Sequence, residues 1–133
     1  MGKVIKTDKE WKEILTPAQY NIARSKGTEP AFSGQYWNHF EKGHYECIAC
    51  GVKLFESETK FNSSCGWPSF FKPGSDSTIH HHRDISHGMV RTEVTCATCE
   101  AHLGHVFEDG PEPTGQRYCI NSESLRFISE KDE

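Results

Sequence analysis

Six cysteines carry most of the chemical potential of this chain, and their spacing divides them into two groups. Cys47 with Cys50 and Cys96 with Cys99 form two CxxC pairs, each able to present two thiolates from one tight turn. Two such turns complete the tetrahedron that Zn2+ favours, and a shell filled by four sulfurs leaves no open position for a catalytic water. The 45 residues from 51 to 95 lie between the pairs, more than the about 15–20 common in compact zinc ribbons, so a structural zinc would join two distant turns rather than organise one finger. Gly51, directly after Cys50, suits the left-handed position of a metal-binding knuckle. Redox-active CxxC chemistry and iron–sulfur ligation are the competing readings of these four residues.

Cys65 and Cys119 are left over. Cys119 sits in "RYCIN", which reads as a strand, so Arg117 and Asn121 share its face while Tyr118 and Ile120 face the core. A fixed guanidinium charge favours thiolate over thiol, which makes Cys119 a candidate nucleophile. The alternative is one more small buried hydrophobe. Asn121 could orient such a site or hydrogen-bond a substrate oxygen. Cys65, in "NSSCGWPSFFKPGS", has no basic residue between Lys60 and Lys72, and nothing local is expected to lower its pKa. Beside Gly66 it could instead move to meet a second sulfur, as a thiol that resolves a sulfenic acid must. Trp67 either lines a small apolar pocket or anchors the core.

Two histidine clusters compete for attention. "HHH" at 80–82 reads as a solvated run, whereas His102 and His105 lie in the apolar segment "HLGHVF". A buried imidazole there must be hydrogen-bonded or assigned a task. Taken singly, each reads first as a satisfied structural histidine.

The elements that must position these residues fall into two parts. Thr7 with Glu10 and Thr16 with Gln19 form two capping boxes, the second with Pro17 at the first helical position, which predicts two short helices within 7–27 and a stop at Gly27. Trp11, Ile14 and Leu15 then lie on one side of the first helix, Tyr20 and Ile22 anchor the second, and both cover a sheet. From Phe32 onward "HYECIAC", "VKLFES", "MVRTEVTC", "HLGHVFED" and "QRYCINSESLRFIS" are short, often alternating, and separated by turn residues. The expected class is mainly β, small antiparallel sheets after a helical N-terminus, with a metal clamp joining two turns. A single domain over 1–133 is expected, with a β core at 32–128.

Hydrophobic residues make up only 35% of the 133, with Gly 11 and Pro 6, a composition that calls for a staple such as the clamp. A formal charge of -4 without a Lys/Arg run argues against nucleic acid. The opening "MGKVIKTDKEW" has no apolar signal core and Lys6 breaks the myristoylation pattern. No later run approaches the ~18 apolar residues of a membrane span. A cytoplasmic protein, in which paired cysteines bind metal or do chemistry, is the expectation. Sparse aromatic residues in the exposed-looking segments favour a monomer.

Taken in order, "YWNHFEKGHYECIACG", "CGWPSF", "DISHGMVRTEV", "CATCEAHLGHVFEDGPEPTGQRYCIN" and "SLRF", over residues 36–127, resemble the methionine-R-sulfoxide reductase family, the B class of methionine sulfoxide reductases. Each motif alone is modest, but the ordered set with both CxxC pairs is specific. The resemblance implies two antiparallel sheets, a structural zinc on Cys47, Cys50, Cys96 and Cys99, reduction of the R epimer of methionine sulfoxide in proteins or peptides, and thioredoxin as reductant. It implies a nucleophile at Cys119, a resolving thiol at Cys65 that closes a disulfide with it, a methyl pocket involving Trp67, and polar residues around the sulfoxide at His102, His105, Arg117 and Asn121. Two rival classes share part of the pattern, a zinc-stapled binding module and a peroxide-directed redox protein. A binding module has no reason to carry Cys65 and Cys119 together, whereas a peroxide-directed redox protein would use the same pair.

Overall fold

The computed structural model describes residues 4–85 and 88–132. Ser86 and His87, within "DISHGMVRTEV", lie outside the described residues. Both capping boxes form: Thr7 opens α1 (Asp8–Ile14) and Thr16 opens α2 (Pro17–Ala23), each hydroxyl accepting from the backbone N–H three residues on. The stop differs from the expectation at Gly27. Lys26 takes the left-handed conformation (φ 59°), and the Gly27 N–H closes back on the Asn21 carbonyl at 2.9 Å, so the turn ends one residue earlier than glycine preference suggests. Trp11, Leu15 and Ile22 are buried as expected, but Ile14 is 56% exposed because it lies at the end of a helix only two turns long.

Among the described residues nine strands follow: β1 (Gly43–Cys47), β2 (Lys53–Glu56), β3 (Lys60–Phe61), β4 (Ser69–Phe70), β5 (Ile79–Asp84), β6 (Arg91–Cys96), β7 (His102–Phe107), β8 (Arg117–Ile120) and β9 (Leu125–Ser129). They form a three-stranded sheet in the order β2-β1-β9 and a six-stranded sheet in the order β3-β4-β8-β7-β6-β5. All described pairings are antiparallel. The mainly β class with two sheets therefore holds. Three strands escape sequence patterning for different reasons. β3 and β4 are two residues long, and β5 is a polar edge strand, "IHHHRD", with no alternation to detect. "QRYCINSESLRFIS" is split by a 3-10 turn at Ser122–Ser124 into β8 and β9, which belong to different sheets.

Aromatic rings hold the sheets together. Tyr45 and Phe55 from the small sheet meet Phe70 and Tyr118 from the large one, Phe55 stacking on Phe70 at 4.3 Å and Tyr45 meeting it edge-on at 5.3 Å. Tyr45, Phe55 and Phe70 have no exposed surface, and burial of each contributes about 1.5–3 kcal/mol. The helix α2 lies against β7 and the Ser122–Ser124 turn. Arg24, at its end, donates to the Cys99 carbonyl at 2.7 Å, so the helical cover reaches one of the CxxC turns.

Candidate active site

Strand register brings the two unpaired cysteines into one place. On β8 Cys119 stands opposite His105 of β7 on one side and Ser69 of β4 on the other, so all three side chains lie on one face. The β7–β8 approach is so close that a Cβ on Gly104 would collide with the Cys119 carbonyl oxygen. Cys65 comes from the turn before β4, where Ser64 and Gly66 both take positive φ (62° and 89°) and the Gly66 carbonyl accepts from Phe32 N–H. Its Sγ lies 3.9 Å from that of Cys119. The movement open to Cys65 is therefore short: a contraction of about 2 Å would close a disulfide.

Local hydroxyls also overturn the expectation that nothing lowers the Cys65 pKa. The hydrogen bond with Cys119 is the largest cause, and Ser63 Oγ at 2.9 Å and Ser69 Oγ at 3.4 Å add to it, bringing Cys65 down to about 4. Cys119 moves the opposite way, raised by its bond to Cys65 and by burial, with Arg117 pulling against both. The contact between the two sulfurs thus drives their acidities apart, Cys65 downward and Cys119 upward.

A rank of ion pairs stands beside the thiols. Three residues apart on a regular strand, His102 and His105 would face opposite sides. A register shift between Val94 and Thr95 turns them to the same side, with ring centroids 5.6 Å apart. His102 Nδ1 meets Glu93 Oε2 at 2.7 Å, and His105 Nε2 meets Asp84 Oδ2 at 2.8 Å. Lys26 reaches both carboxylates, at 3.5 Å and 3.4 Å, and Arg91 reaches Asp84 at 3.6 Å. Burial lowers the pKa of both imidazoles below the ordinary value, against the pull of their carboxylates.

A pocket of about 230 Å³ opens over this face, and its lining includes Cys65, Cys119, His105, Trp67, Arg117 and Asn121. Trp67 is pinned by Nε1–H donating to the Glu29 carbonyl at 2.9 Å. Arg117 forks onto Asp109 at 2.9 and 3.2 Å and lies 4.5 Å over the Phe107 ring. His102 is buried behind His105 and does not line the pocket. The Asn121 amide is committed to backbone, Oδ1 accepting from Glu29 and Nδ2 donating to Leu103.

The four CxxC sulfurs converge at the other end of β6. Cys47 and Cys99 are 3.6 Å apart, as are Cys50 and Cys96, and all four lie within 4.8 Å. Zn–S bonds of about 2.3 Å in a tetrahedron set sulfurs about 3.8 Å apart, so the cluster fits a single metal ion. Gly51 (φ 82°) makes the expected left-handed knuckle, its N–H returning to Cys47 O. Glu100 (φ 64°) makes the second knuckle without glycine, its N–H returning to Cys96 O. Because Cys47 ends β1 and Cys96 ends β6, the cluster joins the two sheets.

Residues 15–129 match the family model of the SelR domain. Over 131 residues the chain is 60% identical to the peptide methionine sulfoxide reductase MsrB of Acinetobacter baumannii, a match spanning 98% of this chain and 94% of that protein. The chain belongs to the MsrB family. Other MsrB relatives are 58% identical, that of Acinetobacter baylyi over 98% of the chain and that of Agrobacterium fabrum over 94%.

Within this MsrB-family site, the charged residues Lys26, Glu29, Asp84, Arg91 and Glu93 escaped sequence reasoning, as did the Ser63 and Ser69 hydroxyls. Arg91 and Glu93 had a detectable signal, since they alternate on β6 on the side that faces β7 histidines. Lys26, Glu29 and Asp84 had none, because they enter from a helix end, a loop and an edge strand that only the fold brings together.

Proposed function

We propose that the chain, a methionine sulfoxide reductase by family, reduces the R epimer of methionine sulfoxide in peptides and proteins through Cys119 and Cys65. The observation that carries the proposal is the 3.9 Å approach of the two sulfurs inside a pocket bounded by His105 and Trp67. In the form of the pair that carries the proton on Cys65, the Cys119 thiolate, favoured by Arg117, attacks the sulfoxide sulfur. As the S–O bond weakens, its oxygen gains a proton from His105, whose Nε2 is held by Asp84 and whose Nδ1 remains for substrate. Low basicity makes His105 a strong acid once protonated, and a developing oxyanion in a buried site draws that proton. Hydroxyl passes to the Cys119 sulfur, methionine leaves as the thioether, and the Cys65 thiol attacks the Cys119 sulfenic acid to give the disulfide and water. Thioredoxin returns both thiols.

Trp67 supports the substrate methyl group, Arg117 biases Cys119 toward thiolate, and His102 with Glu93 backs His105. Asn121 ties Leu103 and Glu29, and hence the Trp67 anchor, to the end of β8. Zn2+ on Cys47, Cys50, Cys96 and Cys99 supplies folding energy and no reaction step, since a filled thiolate shell has no place for substrate. The chain works as one domain and as a monomer in the cytoplasm; no described helix is long and apolar enough to cross a membrane.

Parallel assays on the R sulfoxide, the S sulfoxide and a peroxide test this reading. Turnover confined to the R sulfoxide is expected, with Cys119→Ser inactive and Cys65→Ser releasing about one methionine per enzyme before stalling with thioredoxin. Loss of that first turnover in Cys65→Ser would reverse the roles of the two cysteines.

A further inference from the structure

The run His80-His81-His82 has no part in the reductase site, yet two of its imidazoles converge on one carboxylate. We infer that His80, His82 and Glu100 form a second metal site on the surface, one that takes a borderline divalent transition ion such as Ni2+ or Zn2+. His80 and His82 are two residues apart on β5, so both project from one face of this edge strand. Glu100 arrives from the second knuckle, where its left-handed backbone is held by the N–H bond to Cys96 O at 2.8 Å. Its carboxylate meets His80 Nδ1 at 3.0 Å and His82 Nε2 at 3.8 Å.

One donor atom from each of the three residues lies within 4.8 Å of the others. Donors bound to a common ion at about 2.0–2.2 Å stand about 3.3–3.5 Å apart. Small side-chain rotations therefore suffice. Thr95 Oγ1 contacts both His82 Nε2 at 3.0 Å and Glu100 Oε1 at 3.3 Å, so a hydroxyl lies beside two of the donor atoms and would yield these bonds to the ion. The three side chains are 42%, 45% and 43% exposed, which leaves an entry path and room for water to complete the shell. Two imidazoles and one carboxylate suit Zn2+, Ni2+ and Cu2+ and do not suit Mg2+ or Ca2+, which take all-oxygen shells. His81 is the built-in control, because it points away and contacts the Tyr118 hydroxyl at 3.1 Å.

The test is equilibrium dialysis of the protein as isolated against Ni2+, with nickel and zinc measured in the same sample. One Ni2+ per chain is expected in addition to the metal of the cysteine cluster, resistant to a tenfold excess of Mg2+. Glu100→Gln should weaken this binding at least about tenfold, and the His80→Ala, His82→Ala double variant should abolish it. His81→Ala should retain it. The double variant should keep its reductase turnover, which certifies its fold. Absence of nickel binding, nickel taken up only as an equal amount of zinc is lost, or binding that survives in the double variant would each overturn the inference.

Discussion

At the scale of single residues, the site is governed by who shares a proton with whom. With Cys65 held near 4 by Cys119, Ser63 and Ser69, and Cys119 raised by Cys65 and burial, one thiol should alkylate with iodoacetamide already at about pH 5. Mass mapping should find the label on Cys65. In Cys119→Ser the largest cause of that lowering is gone, and the midpoint of Cys65 alkylation should move upward. In Cys65→Ser the largest cause raising Cys119 is gone, and its midpoint should fall. Asp84 raises the basicity of His105, so Asp84→Asn should lower kcat by about 10–100-fold and shift the alkaline limb of the kcat profile to lower pH. A loss of activity with an unmoved limb would place Asp84 outside proton transfer.

At the scale of elements, close approach and backbone sign set which glycines are replaceable. Gly104→Ala drives a Cβ into the Cys119 carbonyl across β7–β8. The strands must separate where the nucleophile sits, and a loss of roughly 1–3 kcal/mol or more is expected together with a fall in kcat. Gly51→Ala meets nothing within 4 Å and suffers only the left-handed backbone penalty (φ 82°), about 1–2 kcal/mol. It should lower the melting temperature and leave kcat intact. Thermal denaturation beside steady-state kinetics on both variants separates packing at the site from strain at the knuckle. The capped helices and the knuckle at Gly51 were legible because capping boxes and CxxC turns are local patterns. The bulge that turns His102 and His105 to one side was not, since a register shift depends on the partner strand β6 rather than on the sequence of β7.

At the scale of the whole molecule, the four-cysteine cluster and the aromatic layer are two links between the sheets. Structural metal binding of this kind is worth on the order of 10 kcal/mol, comparable to the net stability of a small domain. Stripping the metal with a strong chelator, or Cys96→Ser, should therefore lower the melting temperature by tens of degrees, and activity should vanish along the unfolding curve rather than before it. Acid should act through the histidines as well. His102 and His105 have folded-state pKa values below their unfolded values, so the unfolded chain binds more protons as pH falls through about 6.5, and stability declines on the acid side. Urea titrations between pH 7 and pH 6 should show that slope, and the His102→Asn, His105→Asn double variant should flatten it. Residue types and short spacings by themselves determined the division of six cysteines into four and two, the expectation that the four hold a metal, the helix starts and the mainly β class, because each rests on contacts within a few residues. The tertiary structure alone decided that Asp84 and Glu93 hold the histidines, that the Cys65 and Cys119 sulfurs already touch, and that Glu100 meets His80 and His82. Those contacts join positions 9 to 54 residues apart, and strand order and register, which no local pattern encodes, bring them within reach.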